Sequence, residues 1–402
     1  MLVRFKKSDF IAIYNAVSKD YTQEKGISGG DRILIELTKK WKGLFRNYEI
    51  YTCNSGAAII NDYIRNRKGL KIHQLRTEHF DYNNLFKLYL FKTFKCLIKI
   101  NSRNFQRKTY LFSSSDFIPD VIPSSFAKIK NNNIKWIAAF YFFAASPFSK
   151  EFPYKGIKQI LRGILYYLTQ KITFFLIRKY ADFLVLCNEI DKKIFIKSGY
   201  PESRIYVIYG GVDLAYIDSI TKPKGKIYDA VYQARFHPQK GPMLAVKAWE
   251  QVIKKKPLAK LAMIGNGPLE KEIKDYVNKR NLTNNIKLFG FMDGKEKYQI
   301  LKSSKIFLHT SIYETGGISP VEGMAAGLPV ISFNHKGFKF IYPKGILKVT
   351  PVGDYKSMGN AILELLNNQK KYNLLKKQSL KLVKEWDWEK RANQFIQLLN
   401  KE

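Results

Sequence analysis

Between Tyr313 and Ile331 the chain reads YETGGISPVEGMAAGLPVI, with two carboxylates, Glu314 and Glu322, standing eight residues apart around Gly316 and Gly317. Ser319, Pro320 and Glu322 have the spacing of a helix start. In that arrangement the serine oxygen accepts one backbone N–H and the glutamate three residues on reaches back to another. Capping accounts for Glu322 and leaves Glu314 and the glycines without a purpose. A ligand site accounts for all of them. The segment IFLHTSIYETGGISPVEGMAAG reads as strand, loop and helix, with Glu314 in the loop and Glu322 in the first helical turn. The amides of Gly316, Gly317 and Ile318 then lie where a helix N-terminus holds an anion. A carboxylate accepts two hydrogen bonds and so suits a vicinal diol such as a ribose 2′,3′ pair.

Three further stretches carry chemistry of the same kind. In YQARFHPQKG, Arg235 ends a strand and Lys240 begins the following helix. A guanidinium fork and a compact ammonium flanking one loop suit a diphosphate, although in so basic a chain a solvated pair has the same signature. In GISGGDRILIEL, Gly29 and Gly30 open the first helix and let backbone amides approach an anion. The spacing is not GxGxxG, so the dinucleotide fingerprint is absent. In MIGNGP, Gly265 and Gly267 follow a strand, where they serve a tight turn or a close approach to a ligand.

These residues need a scaffold that puts strand ends together. Short β-rich runs alternate with helical patterns almost throughout: FIAIYNAV, YEIYTC, LKIHQL, TYLFSS, IKWIAAFYFF and DFLVLC in a first series, then YDAVYQAR, KLAMIGNG, IKLFGF, IFLHTS and PVISFN in a second. Alternation of this kind predicts parallel sheets with helices on both faces. Two series predict an α/β protein of two Rossmann-like, doubly wound domains, 1–200 and 201–380. The segment 381–402, with WDWEKRANQFIQLLNKE, reads as a closing helix. Ligands of such sheets bind beyond the carboxyl ends of the strands, where all four motifs fall.

Composition agrees with two globular domains. The chain has 402 residues, 46% of them apolar, which excludes global disorder. Three widely spaced cysteines give neither a disulfide framework nor a zinc spacing, the five histidines add no metal cluster, and a reducing compartment is expected. Lys and Arg number 69 against 33 acidic residues, a formal charge of +36 that attracts nucleic acid, anionic lipid or phosphorylated substrates. No secretory signal is evident. In the apolar stretch QILRGILYYLTQKITFFLIRKYA, Arg162, Lys171 and Arg178 make a membrane crossing costly.

Taken together, ARFHPQKG, IGNGP, LFGFM and ETGGISPVEGMAAGLPVI follow the order and spacing of the retaining, nucleotide-sugar-dependent glycosyltransferases of family 4, and the chain resembles that family over nearly its whole length. The resemblance implies the GT-B fold, in which the two domains face a cleft and the C-terminal helix returns to the first domain, and it makes the last stretch an E-x7-E motif. It implies that Arg235 and Lys240 hold the diphosphate of a UDP- or GDP-linked sugar, and that Gly29 and Gly30 border it. Glu322 would bind the ribose hydroxyls, Glu314 the transferred sugar, the amides of Gly317 and Ile318 sugar or phosphate, and residues near Phe291 the base. No Asp-x-Asp metal clamp is present, so metal-independent transfer with retention is expected. The family often carries a histidine after a late strand of the first domain. Here KWIAAFYFFAASPF has none, and Tyr141 or Phe140 stands in about that place.

The acceptor side is read from charge. No acidic residue occurs from Tyr82 to Ser115, nor from Phe152 to Ala181. In the first stretch Leu90, Phe91, Phe94, Leu97 and Ile98 form one helical face, and Lys92, Lys95, Lys99 and Arg103 another. Either the apolar face packs on the sheet with the lysines in water, or the helix lies on an anionic membrane. The expectation is a cytoplasmic, peripheral enzyme acting on a glycan or polyprenyl-linked acceptor. The rivals are a non-catalytic relative that binds nucleotide sugars and a nucleic-acid-binding protein, for which no recognised module is present.

Overall fold

The structure is a computed structural model that describes residues 5–17, 21, 26–77, 84–149, 152, 154, 156–221, 223–225, 227–314, 317–335 and 338–399. The chain divides into two compact units, Met1–Gly210 with Glu389–Glu402, and Gly211–Trp388.

The first unit alternates β1 (Asp9–Tyr14), α1 (Gly29–Trp41), β2 (Asn47–Cys53), α2 (Asn54–Tyr63), β3 (Leu70–Leu75), α3 (Leu85–Asn101) and β4 (Thr109–Ser113). It continues with α4 (Ile118–Lys130), β5 (Ile134–Phe140), α5 (Ile157–Tyr180), β6 (Phe183–Leu186), α6 (Glu189–Lys197) and β7 (Ile205–Val207). Its seven strands run parallel in the order β3-β2-β1-β4-β5-β6-β7. The chain winds outward from β1 in one direction and then resumes from β4 in the other, so the order reverses between β1 and β4.

The second unit contains α7 (Leu214–Ser219), β8 (Tyr228–Gln233), α8 (Pro242–Ile253), β9 (Leu261–Ile264), α9 (Glu270–Lys279), β10 (Ile286–Leu288) and α10 (Gly294–Lys302). There follow β11 (Ser304–His309), α11 (Ile318–Ala325), β12 (Val330–Phe333), α12 (Phe338–Ile341), β13 (Leu347–Thr350), α13 (Tyr355–Asn367) and α14 (Gln369–Val383). The parallel order β10-β9-β8-β11-β12-β13 reverses between β8 and β11. Both central strands are near-continuous apolar runs because helices cover both sheet faces. Ala230, Tyr232, Ile306 and Leu308 lie in one buried cluster with Trp249 of α8 and Ile362 of α13.

The last helix, α15 (Trp388–Leu399), belongs largely to the first unit. Its Phe395 ring meets Trp41 at 5.7 Å and Phe112 at 6.4 Å, and Glu389 pairs with Lys40 at 2.6 Å. Trp386, read from the sequence as part of this helix, stands in a short 3-10 turn and stacks on Tyr342 in the second unit.

α3 departs from the sequence reading. Its buried stripe is Leu88, Lys92, Cys96 and Ile100, and its exposed stripe is Phe86, Leu90, Phe94 and Ile98. Each stripe repeats every four residues, and the two are offset by two positions, about 200° around a helix, so they face opposite ways. Lys92 is fully buried, with its Nζ donating to the Val17 carbonyl at 2.5 Å. Arg103 lies past the helix end and pairs with Glu49 at 2.6 Å. These two cations therefore leave the basic face that the sequence assigned them to.

Candidate functional site

The order reversal of the second sheet brings the ends of β8 and β11 side by side, and the two most specific motifs follow those two strands. The β8 end supplies Gln233, Arg235, His237 and Lys240; the β11 end supplies His309, Ser311 and Glu314. Lys240 ends a 3-10 turn, and α8 begins at Pro242 after Gly241 in the left-handed region, so Lys240 stands before the helix and not in it.

Lys240 and Glu314 form an ion pair with Nζ 2.5 Å from Oε2. The Glu314 side chain is only 9% exposed. Burial alone would raise its pKa, but the Lys240 ammonium beside it holds it well below the usual carboxylate range. Ser311 Oγ stands 3.3 Å from Oε2, and the Gly317 amide donates to Oε1 at 3.3 Å. His309 is buried with its pKa lowered by burial, so the ring is neutral at pH 7. Ser332 Oγ donates to the Phe333 carbonyl and therefore accepts from His309 Nδ1 at 2.9 Å, which leaves Nε2 to accept from Ser311 Oγ at 3.1 Å. The negative charge of Glu314 thus rests on Lys240.

Glu322 has different partners. Lys297 Nζ and Tyr298 OH donate to Oε1 at 2.8 and 3.1 Å, and Gln233 Nε2 donates to Oε2 at 2.5 Å. Lys297 is held from its other side by Asp293 at 2.9 Å. The capping box expected from Ser319 and Glu322 is not formed. α11 starts earlier, at Ile318, with Gly317 as its N-cap and no side-chain cap, so Glu322 lies in the second turn and its carboxylate is free to leave the helix end. Gly317 takes φ 32, which favours glycine, and the Tyr342 hydroxyl fixes its carbonyl at 3.2 Å. The Gly317 amide is engaged by Glu314, and Ile318 is the first helical residue. Gly316 lies outside the described residues.

Arg235 is exposed, and its guanidinium has no carboxylate partner among the described residues. Burial, with Arg235 and Lys240 beside it, pushes the His237 pKa down to about 4, so three groups on this loop carry two charges. Gly265 is dictated by packing: at φ +150 a Cβ would lie 1.9 Å from the Ala234 carbonyl oxygen. The Gly265 turn is stitched to the Arg235 loop by Phe236 N–H to the Asn266 carbonyl at 2.7 Å and Leu269 N–H to the Phe236 carbonyl at 3.0 Å. Phe291, 38% exposed, sits just past β10. Gln233 Oε1 and His335 Nε2 are among the buried polar atoms of this unit that have no hydrogen-bond partner among the described residues.

Sequence reasoning missed Gln233, Lys297, Tyr298, His309 and Ser311. His309 and Ser311 stand beside a motif already singled out, in IFLHTS, where a polar pair at the end of an apolar strand was the available signal. Lys297 carried none, since a lysine in a polar helix reads as solvated.

In the first unit the exposed Gly29 begins α1 and Gly30 is its second residue; the helix's cap is a reciprocal Ser28–Asp31 box. The helix start is fixed further by the Tyr14 hydroxyl, which donates to Asp31 at 2.8 Å. A Cβ on Gly30 would lie 2.7 Å from the Tyr141 ring, so the glycine is required by that ring. Tyr141 directly follows β5, whereas Phe140 is buried in the core. The Tyr141 hydroxyl is buried and has no hydrogen-bond partner among the described residues. Nearby, burial raises Asp116 to about 6 and Asp120 to about 7, although each accepts several hydrogen bonds. Asp120 takes the Asn15 amide at 2.7 Å, and Asp116 takes Gln170 and Tyr166 at 2.7 and 3.0 Å.

Among the described residues no group of three or more His, Cys, Asp or Glu is placed to hold a metal ion. One helix, Ile157–Tyr180, is long and apolar enough to cross a membrane.

The uncharacterized glycosyltransferase MJ1059 of Methanocaldococcus jannaschii is 26% identical over 232 residues, 54% of this chain and 52% of its own length, so the chain spans about half of that relative. The uncharacterized glycosyltransferase MJ1069 of the same organism is 22% identical over 88% of this chain and 90% of its own. The crystal structure of Anabaena HepE in complex with UDP and glucose superposes with a TM-score of 0.70 at 14% identity, covering 98% of this chain and 99% of that one. Residues 216–382 match the sequence model of the glycosyl transferases group 1. Two doubly wound parallel sheets of seven and six strands, with this match across the second, give the chain the GT-B fold.

Proposed function

We propose that the protein transfers a sugar from a UDP- or GDP-linked donor to a glycan or polyprenyl-linked acceptor in the cytoplasm, with retention at the anomeric carbon and without a metal ion. The observation that carries this reading is the convergence of Arg235, Lys240, Glu314 and Glu322 at the order reversal of the second sheet. The UDP and glucose bound by HepE support a nucleotide-sugar donor. In this reading 201–380 is the donor domain, 1–200 the acceptor-side domain, and the helix in 381–402 packs on the latter.

The chemistry follows from charge. Breaking the anomeric C–O bond sends an electron pair to the diphosphate and leaves positive charge on the sugar ring. Arg235, with no carboxylate to satisfy, takes a phosphate oxygen; Lys240 bridges Glu314 and the diphosphate. Such preorganised cations act where the charge develops. Glu314, held ionised by Lys240, accepts from hydroxyls of the sugar and faces its developing positive charge. Glu322 accepts the ribose diol, its position set by Lys297, Tyr298 and Gln233. The acceptor oxygen attacks from the face the diphosphate leaves, and its proton passes to the departing phosphate oxygen.

The test is a thermal-shift panel of sugar nucleotides on wild type and Glu322→Ala, followed by transfer assays with and without EDTA. A true donor at a hundredfold its Kd stabilises by about 2.7 kcal/mol. Loss of that shift in the variant is expected. Equal stabilisation of both proteins by several donors refutes the ribose assignment, and EDTA-sensitive turnover refutes metal independence. A second reading, a donor-binding relative without turnover, is favoured by Tyr141 standing where the family often has histidine. Donor binding without transfer across plausible acceptors would establish it.

A further inference from the structure

We propose that α3, α4 and α5 together form a docking face for the surface of an anionic lipid bilayer. The observation is an outward apolar stripe on each of three neighbouring helices. On α3, Phe86, Leu90, Phe94 and Ile98 are between 49% and 60% exposed. α5 repeats the pattern with Leu161, Leu168, Ile172 and Phe175, between 48% and 60% exposed, at spacings of seven, four and three that keep one helical face. Its inward side is Gly163, Gln170, Thr173 and Ile177. α4 lies between them, packed on α3 and α5, with its inner side on β1, β4 and β5. Its Phe126 and Ile129 therefore face outward in the gap, 46% and 52% exposed. Ten large apolar side chains on one layer exceed the scattered exposure normal for a soluble surface.

Charge selects the occupant. α3 and α5 contain no acidic residue, and the single one on α4, Asp120, is fully buried. The exposed charges of the layer are all cations, among them Lys95, Lys99, Lys130, Lys158, Arg162 and Lys171. A second copy of this chain would set like charges against like and is disfavoured. A bilayer with anionic headgroups matches both features, since it takes the apolar rings below the headgroups and the lysines at their level. α5 spans about 36 Å, a length suited to an extended planar surface. Its cations and its packing on α4 place it along the surface and not across it. This face belongs to the first unit and shares no residue with the donor site proposed in the second, so it stands whether or not the transferase reading does.

Flotation of the full chain with vesicles of phosphatidylcholine, with and without phosphatidylglycerol, tests it. Wild type floats with the anionic vesicles, less with the neutral ones, and is released by high salt. Lys95→Gln with Lys171→Gln, which leaves all apolar packing in place, lowers the partition coefficient on the order of twentyfold, about fivefold per cation. Phe94→Ser with Ile172→Ser lowers it further while the melting temperature and any sugar-nucleotide shift are retained. Failure of wild type to float, or flotation unchanged in both variants, overturns the proposal. So does resistance to high salt, which would mean insertion of α5, and so does a dimer in sedimentation that the serine variant dissolves without lipid dependence.

Discussion

Removing the Lys240 ammonium isolates what the Lys240–Glu314 pair does. At 2.5 Å, and with an effective dielectric constant of about 20, the gross attraction is roughly 7 kcal/mol, most of it offset by the desolvation of both groups. What Lys240→Met leaves behind is a carboxylate 9% exposed that keeps the Gly317 amide as a donor, the Ser311 proton being engaged by His309. Stranding a buried charge in this way costs about 3 kcal/mol. The unit that contains it has roughly 180 residues, for which each kcal/mol shifts Tm by about 2–4 °C. The second transition in calorimetry should therefore fall by roughly 6–12 °C. Glu314→Gln added to Lys240→Met removes the stranded charge and should recover at least half of that loss. Activity should not return with stability, because both groups act on the donor in the proposed chemistry. A Tm change below about 2 °C for Lys240→Met, or a double variant whose losses simply add, would falsify the assignment of this pair as a coupled buried unit.

Other consequences follow from close contacts and from titration. Gly265→Ala forces a Cβ to 1.9 Å from the Ala234 carbonyl oxygen at φ +150, and should destabilise the second unit by roughly 3 kcal/mol or more in urea unfolding. Gly30→Ala should lower Tm by clashing with the Tyr141 ring; in a Tyr141→Ala background the same change should be stabilising by about 0.5–1 kcal/mol, as for any alanine replacing a helical glycine. The two units should respond oppositely to pH. In the first, burial raises Asp116 to about 6 and Asp120 and Asp191 to about 7, so between pH 4 and 7 the unfolded chain releases protons that the folded unit keeps, and stability falls as pH rises. In the second, burial lowers His237 and His335 to about 4, so between pH 6.5 and 4 the unfolded chain takes protons that the folded unit refuses, and stability falls as pH drops. Calorimetry at pH 5 and pH 7 should show the two transitions moving in opposite directions, and parallel movement counts against it.

The alternation of buried strands and helices was legible because a strand covered on both faces is an unbroken apolar run, as in IFLH and FIAI, and only a two-sided α/β sheet needs such runs. The grouping of Arg235, Lys240, Glu314 and Glu322 was legible from their common position just after strands. What stayed hidden was decided by long-range contact. The Ser319–Glu322 spacing satisfies a local capping rule, yet Lys297, Tyr298 and Gln233, distant in sequence, claim the carboxylate. On α3 the period was readable but the inward side was not: the stripe that goes in carries Lys92, and the more apolar one faces out. Hydrophobicity alone chooses the other stripe, and the buried ammonium is explained by partners distant in sequence, among them the Val17 carbonyl from the loop after β1 and Cys53 Sγ.

Glu314 and Glu322 answer different electrostatic problems, and this bears on which of them is suited to chemistry. Glu322 sits among partners of mixed charge: Lys297 is shared with Asp293, Tyr298 and Gln233 are neutral donors, and the group would change little if a neutral diol joined it. Glu314 depends on one cation that stands on the loop that also carries the free Arg235. In the proposed chemistry a diphosphate arriving at that loop would compete for Lys240, and every step of charge that builds on the leaving phosphate would draw the ammonium further from Glu314. The carboxylate is then least compensated when the sugar ring is most positive. A fixed diol clamp cannot respond in this way, so under the proposed function the partners of the two glutamates would divide the labour: Glu322 would hold the donor, and Glu314 would meet the transition state.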